Sequence, residues 1–163
     1  MIQFPIKLIG FDQSGLSAAV GKTLTRISWP LGQSLECTWR LELLWDEGET
    51  WIVQGQPTMT DSGHEMSSVR VEKLSRSSLP EGLRRDSIEL KGFVLRGIQV
   101  ASALEAGVNS DCAVALHSTF GEVVVIATAP APGAVTVQLG QGRLSKTEFK
   151  QSDFVWRRVS TAQ

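Results

Sequence analysis

The sequence contains no tyrosine and only two cysteines, although it has five tryptophans and six phenylalanines among its 163 residues. Small secreted domains that depend on disulfides usually carry more cysteines than this. Cys37 and Cys112 lie far apart along the chain, each inside an apolar strand pattern. We therefore expect two buried thiols that pack as small hydrophobic side chains. A disulfide or redox pair is the alternative.

Long apolar runs and a strong charge of one sign are also missing. A membrane-spanning helix needs about 20 apolar residues, whereas the run at residues 123–127 is five residues long. The formal net charge of −1 argues against a protein built mainly to bind nucleic acid or an anionic membrane. The first ten residues lack the basic start and continuous apolar stretch of a secretory signal, which predicts a cytoplasmic location.

No motif in the sequence identifies an activity. Five residues separate Gly15 from Gly21, where a phosphate-binding loop has four, so a glycine-bounded turn is predicted there. His64 and His117 have no partner at a spacing typical of a catalytic triad or a zinc site. We therefore predict no catalytic residue, no metal ligand and no cofactor. This favours a protein without enzymatic activity, while a small β-barrel enzyme stays open as an alternative.

The dominant pattern is alternation of apolar and polar residues, which is typical of half-buried strands. It is clearest at residues 37–43, where the apolar side includes Trp39 and predicts that this indole lies in the core. Patterns of this kind predict strands at residues 2–8, 25–29, 37–43, 51–53, 69–71, 88–100, 112–118, 122–128, 135–139 and 154–159. We expect loops at residues 56–63 and 75–86. The run of residues 99–105 is the single candidate helix, with Gly107 as its C-cap.

Strand runs separated by short turns indicate one layered β domain over residues 1–163. We predict a mainly β fold, an antiparallel sandwich or barrel of about ten strands with at most one short helix. Pro5 cannot donate a ladder hydrogen bond, so the first strand is expected at an edge. Thirteen residues are long for one strand, so residues 88–100 are expected to bend at Gly92 or Gly97.

An acidic hairpin tip carries the most distinctive side chains. Two tryptophans flank this tip, and tryptophan is enriched at protein-interaction hot spots. Arginine pairs elsewhere in the chain are candidates for contact with an acidic partner. The predicted partner-binding residues are Trp45, Asp46, Glu47, Glu49, Trp51, Arg84 and Arg85. The alternative for the two indoles is a cross-strand pair that closes the end of the core.

These features predict a non-enzymatic protein–protein binding module. Small cytosolic inhibitors such as immunity proteins, which occlude a partner, share this general form. The first alternative is a small-molecule-binding β-barrel or small β-barrel enzyme with His117 in its pocket. The second is a homo-oligomeric structural component that pairs through edge strands. Residues 66–103 contain seven basic and four acidic residues, and residues 142–163 contain five and two, so a shared face would be positive.

Overall fold

Alternating apolar and polar residues form a mainly β protein in the computed structural model of this chain. The structure describes residues 6–8, 13–61, 63–75, 82–140 and 143–159. The elements are β1 (Ile6–Leu8), α1 (Gln13–Ser17), β2 (Thr23–Pro30), β3 (Leu41–Trp45), β4 (Glu49–Met59), β5 (Glu65–Ser75), β6 (Arg85–Glu105), β7 (Val108–Ser118), β8 (Val123–Thr128), β9 (Val135–Leu139) and β10 (Val155–Arg158). Two short 3-10 turns, Asp46–Gly48 and Gln151–Asp153, complete the described elements. The predicted fold class is thereby confirmed.

The strands form one ten-stranded sheet with the order β5-β4-β3-β2-β6-β7-β8-β9. Strand β10 adds to β6, and β1 adds to β7 as the parallel member of a sheet whose other described pairs are antiparallel. Strands β5 and β9 end this path without pairing with each other, so the described strands form an open sheet.

Strand β6 is 21 residues long and belongs to both halves of the sheet. Its first half pairs with β2, and its second half pairs with β7 and β10. The two halves meet at the predicted bend, where Gly92 has a φ of 71° and the register shifts between Leu95 and Gly97. A positive φ is readily adopted only by glycine. The bend turns the two halves toward each other.

The main core lies between these two halves. One half contributes Leu24, Ile27, Leu43, Trp45, Trp51 and Phe93, and the other contributes Ile98, Val100, Val114, Leu116, Val124 and Ile126. Trp39 does not join them, because its side chain is 49% exposed. The prediction for this residue was wrong: β3 begins only at Leu41. Trp39 instead lies outside the ladder, with its indole beside Gly133, where an added Cβ would lie 3.7 Å from Trp39 Cδ1.

The predicted helix at residues 99–105 is also wrong, because these residues form the end of β6. Ala106 and Gly107 have φ values of 52° and 76°, which is typical of a two-residue hairpin turn. Pairing with β7 on one side and β10 on the other overrides the helix preference of alanine, leucine and glutamate. The short helix of this fold, α1, falls partly inside the predicted glycine-bounded turn.

The predicted loop at residues 56–63 differs from the structure, and two other predicted segments fall partly outside the described residues. Residues 56–59 extend β4 and residue 65 begins β5, so the predicted loop at residues 56–63 is largely a long hairpin. In the predicted loop at residues 75–86, residues 76–81 lie outside the described residues. For the predicted first strand, residues 6–8 form β1 and residues 2–5 lie outside the described residues.

A second apolar cluster covers part of the outer face, defined here as the face of the β6–β7–β8 half that points away from the main core. Leu144 and Phe149 belong to the segment before β10. They pack with alanines of three neighbouring strands, Ala101, Ala113 and Ala127, whose small side chains allow close approach. Within the described ranges, no helix has the length and apolar composition needed to cross a bilayer.

Candidate functional site

A groove of about 760 Å³ opens on the outer face where β6, β7 and β10 meet. Its polar side chains are Arg96 and Gln99 from β6, His117 from β7 and Arg158 from β10. We call these four residues and the surface between them the basic groove. Clefts with a few convergent polar groups are the usual places for ligand recognition.

Strand register determines which side chains reach the basic groove. Arg158 lies opposite Gln99, and Gly97 lies opposite His117. The residues on either side of Gln99 point into the main core, so alternation directs Gln99 outward. A Cβ added at Gly97 would meet nothing within 4 Å. This glycine therefore leaves open space above the floor of the groove.

The imidazole of His117 has one uncharged neighbour, Gln99, and two cationic neighbours, Arg96 and Arg158. Its Nε2 lies 2.7 Å from Gln99 Oε1, a hydrogen bond that orients the ring. Burial lowers the pKa of His117 below its usual value of 6.5, and the charges of Arg96 and Arg158 lower it further. The imidazole is therefore mainly neutral at pH 7 and adds a positive charge only in more acidic solution.

The two arginines of the basic groove are available to an anionic ligand. Among the described side chains, neither Arg96 nor Arg158 forms an ion pair. Guanidinium groups match carboxylate and phosphate oxygens with paired donors. The arrangement is suited to binding an anionic group.

Strand β10 is anchored to this site by a largely buried polar network. Arg157 Nη2 donates to Asp111 Oδ1 over 2.9 Å, and its Nη1 donates to Ser102 Oγ over 2.6 Å. Ser102 Oγ donates to the same Asp111 oxygen over 2.9 Å. The Arg157–Arg158 pair is thus divided between two roles, since Arg157 anchors the strand and Arg158 faces the basic groove.

The predicted tryptophan anchor is in the core. Trp45 and Trp51 are both buried, with ring centroids 4.8 Å apart and ring planes tilted by 53°. This geometry matches the alternative, a tryptophan pair across the hairpin that closes one end of the core. The buried indoles offer no exposed surface to a partner in this structure, and the partner-binding role of Trp45 and Trp51 stays a prediction.

Two of the three hairpin carboxylates have structural contacts. Asp46 Oδ1 accepts the backbone N–H of Thr23 over 3.1 Å. Glu49 Oε1 accepts the Trp51 indole N–H over 2.8 Å. Burial raises the pKa of Glu49, but this hydrogen bond and the nearby lysine charges outweigh burial and lower the pKa below its usual value. Glu47 is exposed, and a partner-binding role for these carboxylates stays a prediction.

The arginine pair at the start of β6 lies far from the hairpin tip. Arg85 forms an ion pair with the buried carboxylate of Glu42, while Arg84 is exposed. The Arg pair lies beside Pro30, at the opposite end of β2 from the tip. At about 3.3 Å per residue this separation is roughly 23 Å. The predicted set therefore does not form one continuous surface.

Sequence reasoning identified His117 as a pocket candidate but missed Arg96 and Gln99. His117 lines the basic groove; whether it contacts a ligand stays a prediction. Gln99 was hidden within the predicted helix, and no local pattern marks Arg96. Among the described side chains, no group of three His, Cys, Asp or Glu residues is arranged to hold a metal ion. Comparison with protein-family models, curated proteins and solved structures finds no match to this chain.

Proposed function

We propose that this protein is a non-enzymatic binding module, of inhibitory or immunity type, that uses the basic groove to hold an acidic segment of a cytoplasmic protein partner. One observation carries the proposal. Arg96 and Arg158 come from different strands, both line the basic groove together with His117, and neither forms an ion pair among the described side chains. The positive potential of these two guanidinium groups attracts carboxylates and increases the rate of association with an acidic partner.

The contacts of His117 support binding more than catalysis. A general base acts on a nucleophile or substrate proton within hydrogen-bond reach. In the basic groove, the described hydrogen bond of His117 is to the side-chain amide of Gln99. That contact orients the ring without activating a hydroxyl or thiol. The main core between the sheet halves is packed with apolar side chains, so the surface groove is the better place for a ligand than the interior.

The test compares partner capture by the parent protein and two charge-reversed variants. Arg158→Glu reverses a charge in the basic groove, whereas Lys91→Glu makes the same change in net charge at an exposed position in the other half of β6. The native lysate is passed over each protein, and captured proteins are quantified by mass spectrometry. We expect a stoichiometric acidic partner with the parent and with Lys91→Glu. Its recovery with Arg158→Glu should fall at least about tenfold.

Three results would contradict the proposal. They are the absence of any stoichiometric partner, equal recovery with both variants, and a captured partner that lacks acidic segments. Light scattering tests the alternative of a homo-oligomeric structural component. A stable oligomer that persists in Arg158→Glu would favour this alternative over the proposed binding module.

A further inference from the structure

Among the described strands, β10 has one edge without a partner, and this edge lies beside the basic groove. The N–H of Val159 donates to the carbonyl of Ile98 over 2.9 Å, which extends the register of β10 on β6 by one residue. In an antiparallel pair, alternate residues direct their backbone groups to the same neighbour. Arg157 therefore bonds to β6, while Trp156 and Arg158 direct their N–H and C=O groups away from it. Within the described part of the chain, β10 pairs with β6 alone.

The same two residues present their side chains on the outer face. Trp156 lies opposite Ala101, and Arg158 lies opposite Gln99 at the basic groove. The Trp156 side chain is 39% exposed. Within the described residues, the edge thus combines two backbone donors and two backbone acceptors without a strand partner, an accessible indole, and a guanidinium two residues further along.

Charge determines which strand this edge can accept. Proteins often protect edge strands with proline, bulges or inward-pointing charges. Here the sequence of β10 contains no proline and no acidic residue, and Arg157 is neutralised by Asp111. A second copy of β10 would bring cationic edges together, and like charges on neighbouring strands are destabilising. An acidic strand instead complements the remaining charge on Arg158.

We infer, on the basis of the proposed function, that the acidic partner segment binds as an extended antiparallel strand added to β10. A carboxylate side chain lies opposite Arg158, and an apolar side chain two residues away lies opposite Trp156. Directly opposed residues have Cβ atoms about 4.5–5.5 Å apart, within reach of a carboxylate–guanidinium contact. The recognised class of ligand is therefore an extended peptide with the alternating pattern acidic, any residue, apolar.

The test uses seven-residue peptides with blocked termini. Thr occupies every second position, and Glu and Val alternate at the positions between the threonines. Residues opposite Trp156 and Arg158 direct their own N–H groups toward β10. N-methylation of the Glu and Val nitrogens should weaken binding at least tenfold, whereas N-methylation of the intervening Thr nitrogens should change it less than twofold. Affinities are measured by amide chemical-shift titration. The bound peptide should slow hydrogen exchange at the Trp156 and Arg158 amides.

Matched variants separate strand addition from simple charge attraction. Trp156→Ala should weaken binding of the unmethylated peptide. Val155→Ala should not weaken binding, because this side chain is 70% exposed on the other face of β10.

The outcomes distinguish the inference from the proposed function. If methylation has equal effects at both sets of positions while Arg158→Glu still abolishes binding, strand addition is overturned and the proposed function stands. No binding of the Glu peptide, or equal binding of a Lys-substituted peptide, would overturn both. Dimerisation through β10 in light scattering would identify a second copy as the occupant and overturn the inference.

Discussion

Replacing Arg157 with methionine tests how β10 is anchored. In the folded protein, the guanidinium compensates the carboxylate of Asp111, whose side chain is 1% exposed. Methionine keeps most of the aliphatic volume but removes the charge and the two hydrogen bonds to Asp111 and Ser102. The carboxylate would then lack its cation in a site with almost no access to water. We expect a large loss in the free energy of unfolding.

The size of this loss follows from burial. Breaking a buried ion pair by removing one partner costs about 3–5 kcal/mol. The side chain of Arg157 is 33% exposed, so water can enter the vacated space and partly hydrate Asp111. We therefore expect the lower end of the range, about 3 kcal/mol. For a chain of this length, this corresponds to a fall in Tm of roughly 6–12 °C.

Urea denaturation of matched variants measures the effect. The control is Arg26→Met, which breaks an equally short ion pair with Glu89 between two exposed side chains and should cost less than about 1 kcal/mol. Asp111→Leu combined with Arg157→Met should be more stable than Arg157→Met alone, because the double variant removes the buried carboxylate together with its guanidinium. Equal small losses for Arg157→Met and Arg26→Met would refute the buried-pair reasoning.

Three further predictions concern the core, a partly buried carboxylate and the basic groove. Trp51→Ala should cost about 3–5 kcal/mol in urea denaturation, while Trp39→Ala at its half-exposed site should cost less than about 1 kcal/mol; equal losses would contradict the described core. Burial raises the pKa of Glu148 above 4.5, so its contribution to stability is present below that pH and is lost as pH rises through the folded pKa. From pH 4 to pH 7, the free energy of unfolding of Glu148→Gln should therefore rise relative to that of the parent. A difference between the two proteins that does not change with pH would contradict this. The lowered pKa of His117 implies that affinity for the Glu peptide rises as pH falls below 6.5, because protonation adds a third cation; His117→Gln should abolish the rise, and a persistent rise would point to another group.

Local pattern was enough to identify most strands and their turns. The Gly92 bend and the tight hairpins before β4 and β8 follow from residues adjacent in the chain, because a strand alternates its faces and glycine readily adopts positive φ. The same reasoning failed at residues 99–105. Alanine, leucine and glutamate favour a helix locally, but this segment pairs with β7 up to Glu105 and with β10 over residues 99–102.

The candidate site shows the limit of local reasoning more clearly. Its four polar side chains come from three strands, and β10 begins fifty residues after β6 ends. Alternation shows that neighbouring side chains point to opposite faces, but it does not show which strands become neighbours. The register of β6 with β7 and β10 brings Gln99, His117 and Arg158 together.

The sequence by itself determined a mainly β domain with short turns, little helix and no strong net charge. Only the tertiary structure decided that Trp45 and Trp51 lie in the core, that Trp39 lies outside it, and that a basic groove forms beside the open edge of β10. The physical reason is that alternation and turn preference depend on neighbours in the chain. Burial and charge pairing depend instead on contacts between strands distant in sequence.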